Sequence, residues 1–431
     1  MKNNIVSVRL WGKEVCLLEW KGGYKPRFGK LGSVVTFNPD FFQYGLDTDP
    51  LGPYSITKYM VRNGLSDWCR ATEYNGLPRF LSGSLPDDWG NRVFSTWIEK
   101  NHIRSSEINS VDKLAFIGNR GMGALEFVPQ LYTPSTDAVL LDELYSLSKE
   151  ILEDRENVRI SFHDNPGIND LMSVGMSAGG QHPKAIIAIN WETGDVSSGQ
   201  VLLPGDYKQY ILKFRDTDTW PTAEIEYAYY LMANECGINM EESRIIPIQG
   251  VNHFLTERFD RKDGQKQHTA TLQALCGPTY TYEDIFRACR MLRLPAYDMD
   301  QLFRRTVFNF LTGVCDDHDK NFSFVLTPDG VWHLSPAYDV TFTVNIQNRF
   351  RADHHAMSLE NCNRAVSTQQ FLRLAEHNDI NGAKETIELI KDKVLSFETE
   401  LSGLGIDDVW KRIIRPYMLT QIFGEFHRKG W

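Results

Sequence analysis

The sequence has no long apolar run. Nowhere in its 431 residues do about 18 apolar side chains follow one another without a charge, so no membrane-spanning helix and no membrane partner are expected. The opening Met1-Lys-Asn-Asn-Ile-Val-Ser-Val8 lacks the apolar stretch of a secretory signal, and a cytoplasmic protein is expected. Paired cysteines are missing too. The seven, at 16, 69, 236, 276, 289, 315 and 362, form no C-x-x-C, which removes zinc ribbons and dithiol motifs and leaves reduced core thiols. Nor is there an excess of positive charge. With 46 Lys+Arg against 56 Asp+Glu the formal net charge is −10, which argues against nucleic acid as the main partner and leaves open DNA contact through a basic partner protein. No internal repeat or low-complexity tract is visible.

What is there reads as an ordinary globular chain with room for two or three domains. Ile5 to Trp20 alternates like a strand pair turned at Gly12-Lys13, and residues 1–135 read as a small α+β domain broken by Gly and Pro. The acidic, leucine-rich stretch Asp142–Asp154 predicts a linking helix. From there to residue 262 the order is strand (Ala185–Ile189), strand (Gln209–Phe214), helix (Ala223–Cys236, stopped by Gly237), strand (Arg244–Ile248) and strand (His253–Glu257). That is the order of a kinase small lobe. Residues 263–431 read as mainly helical. Phe303, Val307, Phe310, Leu311 and Val314 form an apolar helical face running to the acidic motif at 316. A hairpin follows, Phe322–Leu326 and Val331–Leu334 about Pro328-Asp-Gly330. The predicted class is α+β: a two-lobed, protein-kinase-like fold with a small N-terminal α+β subdomain and a mainly α-helical C-terminal lobe.

The run Cys315-Asp-Asp-His-Asp-Lys-Asn321 carries the strongest chemical signal. Phosphoryl transfer needs phosphates held in place, one or two Mg²⁺ ions and a carboxylate to orient the acceptor hydroxyl; protein kinases set that Asp five positions before a Mg²⁺-binding Asn. Asp316 and Asn321 have this spacing, and the hairpin returns the chain to Pro336-Ala-Tyr-Asp339, so two oxygen ligands converge on one hard cation. Acidic residues at a helix C-terminus oppose the macrodipole, which favours function over a solvated turn. Within the run Asp317 and Asp319 are expected to face solvent, and His318 either contacts a phosphate or locks the loop. A Zn²⁺ site there lacks further ligands. His354-His355 reads as an exposed polar pair.

Lys213, in a strand with apolar neighbours, is the candidate for the ATP phosphates, with Glu226 of the next helix as its partner; Glu224 is expected to be solvated. Ser177-Ala-Gly-Gly-Gln-His-Pro-Lys184 is a candidate phosphate loop, in which Gly179 and Gly180 let backbone N–H groups approach an anion and Lys184 adds charge. Gly175-Met-Ser-Ala-Gly179 also matches G-x-S-x-G, but the turn leads into a strand instead of a helix, against a serine hydrolase. Glu257-Arg-Phe-Asp-Arg261 sits where a hinge would meet adenine. Gly118–Gly123 reads as turn chemistry only.

Together these residues resemble the HipA family of bacterial serine/threonine kinases, the toxin halves of HipBA-type toxin–antitoxin pairs. The resemblance rests on Ile117-Gly-Asn-Arg-Gly-Met-Gly-Ala124, Ile211-Leu-Lys-Phe214, Glu257–Arg261, Asp316-Asp-His-Asp-Lys-Asn-Phe-Ser323, Leu334-Ser-Pro-Ala-Tyr-Asp339 and Met357–Arg364. It implies Asp316 as catalytic base, Asn321 and Asp339 as Mg²⁺ ligands, Lys213 on the ATP phosphates, and Glu257, Phe259 and Asp260 around adenine and ribose. It also implies a protein substrate, a small helix-turn-helix antitoxin (HipB-like), DNA contact only through that antitoxin, and Ser177 as an inactivating autophosphorylation site. One departure is Gln181-His-Pro-Lys184, where the family usually has Gln two residues before the Lys. A small-molecule kinase of this fold would use the same residues; a catalytically inactive antitoxin-binding co-regulator is the other alternative, and the intact Asp316, Asn321, Asp339 and Lys213 argue against it.

Overall fold

Alternating side chains in the first strand set the architecture of the N-terminal part. In Ile5–Leu10, Val6, Val8 and Leu10 are fully buried while the residues between them are not. Trp11 and Gly12, both at positive φ, turn the chain into Lys13–Trp20, one residue earlier than expected. Strands Gly29–Phe37, Ser66–Arg70 and Leu125–Val128 extend this antiparallel sheet. Helices Asp88–Lys100 and Ser110–Ile117 follow, the second opened by a capping box between Asn109 and Asp112. Trp97 packs on Phe116 with ring centroids 4.5 Å apart.

A second antiparallel sheet contains Lys184–Ile189, Val196–Ser198, Lys208–Lys213 and Val251–Glu257, with Ser243–Ile248 at its edge. All six residues of Lys184–Ile189 are buried, so this strand is covered on both faces. The indole N–H of Trp89 donates to the Lys184 carbonyl at 2.9 Å and ties the N-terminal helices to this sheet. The short strand Val196–Ser198 escaped the sequence reading because three residues show no period.

The computed structural model describes residues 4–25, 29–55, 66–132, 139–153, 182–200, 203–215, 217, 220–262, 264–344, 354–397, 401 and 403–423. It divides into two compact units. The first comprises Met1–Asp216, Ile246–Ala270 and Leu326–Val331, and the second Thr217–Ile245, Thr271–Val325 and Trp332–Trp431. Both sheets described above belong mainly to the first. The second is mainly helical, with Thr222–Glu235, Tyr282–Met291, Ala296–Thr312, Thr368–His377, Ala383–Ser396 and Arg415–Phe423. The α+β class expected from the sequence is the one found.

Ala296–Thr312 is the core helix of the second unit. Its buried residues include Leu302, Phe303, Val307, Phe308, Phe310 and Leu311, and also Arg305 and Asn309, so nearly its whole circumference is covered. The helix stops at Gly313, whose left-handed φ of 78° lets its N–H bond to the Asn309 carbonyl. A Cβ there would come within 2.8 Å of the Tyr417 ring, so only glycine fits. This corrects the expected helix running to the acidic motif. Asp316 lies beyond the cap, and opposition to a helix macrodipole does not bear on it. Among the described residues no helix is long and apolar enough to cross a membrane.

Candidate active site

After the buried Val314 and Cys315 the residues alternate. Asp316 is exposed, Asp317 buried, His318 intermediate, Asp319 buried and Lys320 exposed. Asp317 and Asp319 therefore point inward, which corrects the expectation that they face solvent. Asp319 accepts the Thr279 N–H at 3.0 Å and the Gln273 amide at 3.3 Å. Asp317 accepts the Tyr282 hydroxyl at 2.5 Å, the His355 Nδ1 at 2.9 Å and the Met357 N–H at 3.2 Å. Such buried carboxylates persist because each finds strong donors. With its neighbours anchored inward, Asp316 is turned outward, and its side chain is 64% exposed.

The backbone beneath Asp316 is pinned. The hydroxyl of Thr343 accepts both the Cys315 and the Asp316 N–H, at 2.8 and 2.9 Å. The Asn321 side chain donates from Nδ2 to the Asp316 carbonyl at 2.7 Å. His318 Nδ1 accepts the Lys320 N–H at 3.2 Å, and its Nε2 lies 3.9 Å from Asp316 Oδ2. These contacts tie His318 to its own loop.

The hairpin is present as Ser323–Leu326 and Trp332–Leu334, and the Ser335 N–H donates to the Ser323 carbonyl at 2.9 Å. Its feet therefore lie side by side. Tyr338 donates its hydroxyl to the Lys320 carbonyl at 2.7 Å. Asn321, Tyr338 and Asp339 line one cleft with Arg305, Asn309 and Phe322. Asp339 holds φ at 54°, a left-handed conformation that costs a non-glycine residue on the order of 1–3 kcal/mol and clusters at functional sites. Because Nδ2 of Asn321 is committed to Asp316, its Oδ1 is turned away from that carbonyl. A carboxylate and an amide oxygen on one cleft are the hard donors Mg²⁺ prefers, so the donor set fits that ion.

His355 also departs from expectation. It is buried, ion-paired with Asp317, and its ring lies 4.2 Å from that of Phe310. Burial alone would push the imidazole down, but the charge and hydrogen bond of Asp317 outweigh it and lift the pKa to about 10. A folded pKa above the ordinary 6.5 stabilises the fold fully below pH 6.5, and that contribution is lost as pH rises through about 10. The melting temperature of the wild type should therefore exceed that of His355→Asn most at pH 6.5, with the gap closing towards pH 10. A gap that stays constant over that range would refute the pairing.

In the first unit, Lys184 and Lys213 are direct partners across the ladder, so both side chains lie on one face. Lys184 is the first residue of its strand and is buried, and Lys213 Nζ sits 5.6 Å from the Phe254 ring centroid. Like charges set opposite one another on a sheet are unfavourable, and an anion between them reverses the sign. Glu226 lies on Thr222–Glu235 in the second unit and is half-buried. Glu224, expected to be solvated, is the buried acid of that helix. Ser177, Gly179 and Gly180, the G-x-S-x-G run and Gln181 lie outside the described residues.

At the strand exit, Glu257 pairs with Lys208 at 3.0 Å, and Phe259 is half-buried. Asp260 is fully buried. Arg258 grips both its oxygens at 2.8 Å, Arg261 Nη1 approaches at 2.7 Å, and the Gly123 N–H donates at 2.7 Å. Burial would raise this carboxyl, but the two guanidiniums hold it well below the ordinary carboxylate range. Both oxygens are engaged within the protein, and Asp260 ties Arg258, Arg261 and the Gly123 backbone together. Gly118–Gly123, read as turn chemistry alone, is the surface this clamp grips. Gly123, at φ 77°, leaves no room for a Cβ, which would lie 2.9 Å from the Thr269 backbone.

A family model described as the HipA-like C-terminal domain matches residues 176–400, more than half of the chain, and one described as the HipA N-terminal domain matches 30–128. The chain belongs to the HipA family. The HipA of Shewanella oneidensis MR-1, solved with HipB and its operator DNA, has the same fold. Its TM-score is 0.66 at 17% identity, over 97% of this chain and 96% of that one. A Haemophilus influenzae protein named "Putative kinase" is 28% identical over 185 residues, 38% of this chain; the match spans about half (52%) of that curated relative. Within this HipA-family chain, sequence reasoning missed Thr343, Tyr282 and the roles of Asp317, Asp319 and His355. Only the polar run Met357–Arg364, next to His355, gave a signal.

Proposed function

We propose that this HipA-family chain is a serine/threonine-protein kinase that uses Mg-ATP, acts in the cytoplasm on a protein substrate, and serves as the toxin of a toxin–antitoxin pair. The observation that carries the reading is the outward carboxylate of Asp316. Its backbone is fixed by Thr343 and by Asn321, the residue five positions on that shares a cleft with Asp339. In this reading Asp316 orients the acceptor hydroxyl and takes its proton. Asn321 and Asp339 would hold Mg²⁺, which would supply charge neutralisation at the phosphates. Lys213 and Lys184 supply the paired positive charge for the phosphates, with Glu226 as the helical acid. His318 keeps the loop closed. Glu257 and Phe259 border adenine, and Asp260 braces that wall.

The partner is proposed by likeness to the Shewanella HipA, which was solved with HipB and operator DNA. A small helix-turn-helix antitoxin would bind this chain and carry any DNA contact. Ser177, with Gly179 and Gly180, is proposed as a self-phosphorylated phosphate loop. The test is to incubate the protein with Mg-ATP and cell extract and locate phosphate by mass spectrometry. Phosphoserine or phosphothreonine on a protein, at Ser177 or elsewhere, is expected. Phosphate found only on small molecules would replace the reading with a small-molecule kinase.

A further inference from the structure

We propose that His355 is a positioning residue for the base: through Asp317, and without touching substrate, it holds the chain on both sides of Asp316 so that the carboxylate faces outward. The inference rests on Asp316 as the base. Three consecutive residues carry it. The Ala356 N–H donates to the Cys315 carbonyl at 2.9 Å, one residue before the base. The Met357 N–H donates to Asp317 Oδ1 at 3.2 Å, one residue after it. His355 Nδ1 donates to Asp317 Oδ2 at 2.9 Å. The segment thus grips positions 315 and 317 and skips 316.

A second donor holds the same oxygen of Asp317. Its Oδ2 accepts the Tyr282 hydroxyl, which in turn accepts the Asn309 side chain at 3.0 Å. Tyr282 opens one helix and Asn309 lies in the core helix, so the network anchors the loop to two rigid elements. Both side chains of the ion pair have no solvent exposure. A buried carboxylate without a cation would be expensive. A histidine here supplies the donor and the countercharge from one group. A purely packing role would not require the donor at Nδ1.

The experiment compares wild type, His355→Ala and His355→Asn as full-length chains, by hydrogen exchange of the segment Cys315–Asn321 and by steady-state phosphate transfer. Asparagine places an N–H donor near the Nδ1 position. His355→Ala should speed exchange in that segment by about 10-fold or more. It should lower kcat by about 10²-fold, as expected for a misplaced catalytic group, with KM for ATP held within about twofold. His355→Asn should recover most of both. Exchange in Cys315–Asn321 that stays at the wild-type level in His355→Ala overturns the inference, and so does a change confined to KM. If His355→Ala exchanges throughout, His355→Asn decides: protection of Cys315–Asn321 and kcat recovered together support the inference, and a folded His355→Asn that leaves either unrecovered overturns it. A wild type that transfers no phosphate removes the kinase reading, while the exchange comparison still decides whether His355 positions the loop.

Discussion

Asp316→Ala will lower phosphate transfer by about 10³-fold or more, equivalent to about 4 kcal/mol of transition-state stabilisation. The protein should remain folded. Asp316 presents an exposed side chain, and its loop is held by backbone and neighbouring groups that the substitution leaves in place. Exposed substitutions of this kind usually shift stability by no more than about 0.5 kcal/mol. The Mg-ATP-dependent rise in melting temperature should persist, because Asn321, Asp339 and the two lysines are untouched. Single-turnover transfer and thermal melting, measured on one preparation, separate the two effects. Near-normal transfer by the variant would sink the assignment of Asp316 as the base.

Asp260→Ala has the largest expected effect on stability. It strips the shared carboxylate from Arg258, whose side chain is fully buried, and from Arg261, and it removes the acceptor of the Gly123 N–H. Breaking a buried ion pair from one side costs about 3–5 kcal/mol, because the stranded charge has no solvent to turn to. Urea unfolding should show a loss of that order. Asp408→Ala is the control, since the Asp408–Arg412 pair is almost wholly solvent-exposed and should contribute little. Equal losses from the two variants would contradict the clamp.

Spacing proved the durable signal in the sequence. The five-residue step from Asp316 to Asn321 and the hairpin return to Asp339 are local, and local geometry is readable from chain order. The strands bearing Lys184 and Lys213 were legible for the same reason, through their apolar neighbours. Burial of charge was not legible. Asp317, Asp319, Glu224, His355 and Asp260 all read as solvent-facing or ligand-facing, because a charged residue type predicts exposure until its partner is known. For Asp317 that partner is 38 positions away, and for Asp260 one of them is 137 away. The helix ending before Asp316 was misjudged because Gly313 was not taken as its cap, and a glycine after an apolar helical face was the available cue.

The alternation from Asp316 to Lys320 makes the length of this loop more constrained than its composition. Removing one residue between Gly313 and Asn321 would act like a register slip in a strand, carrying inward groups outward and outward groups inward. A deletion just after Asp316 would carry Asp316 into the place of Asp317, towards the Tyr282 hydroxyl, and leave Cys315 in the outward position. In a combinatorial library of this chain, point changes at His318 or Lys320 should yield folded members, whereas single-codon deletions across the same stretch should yield none.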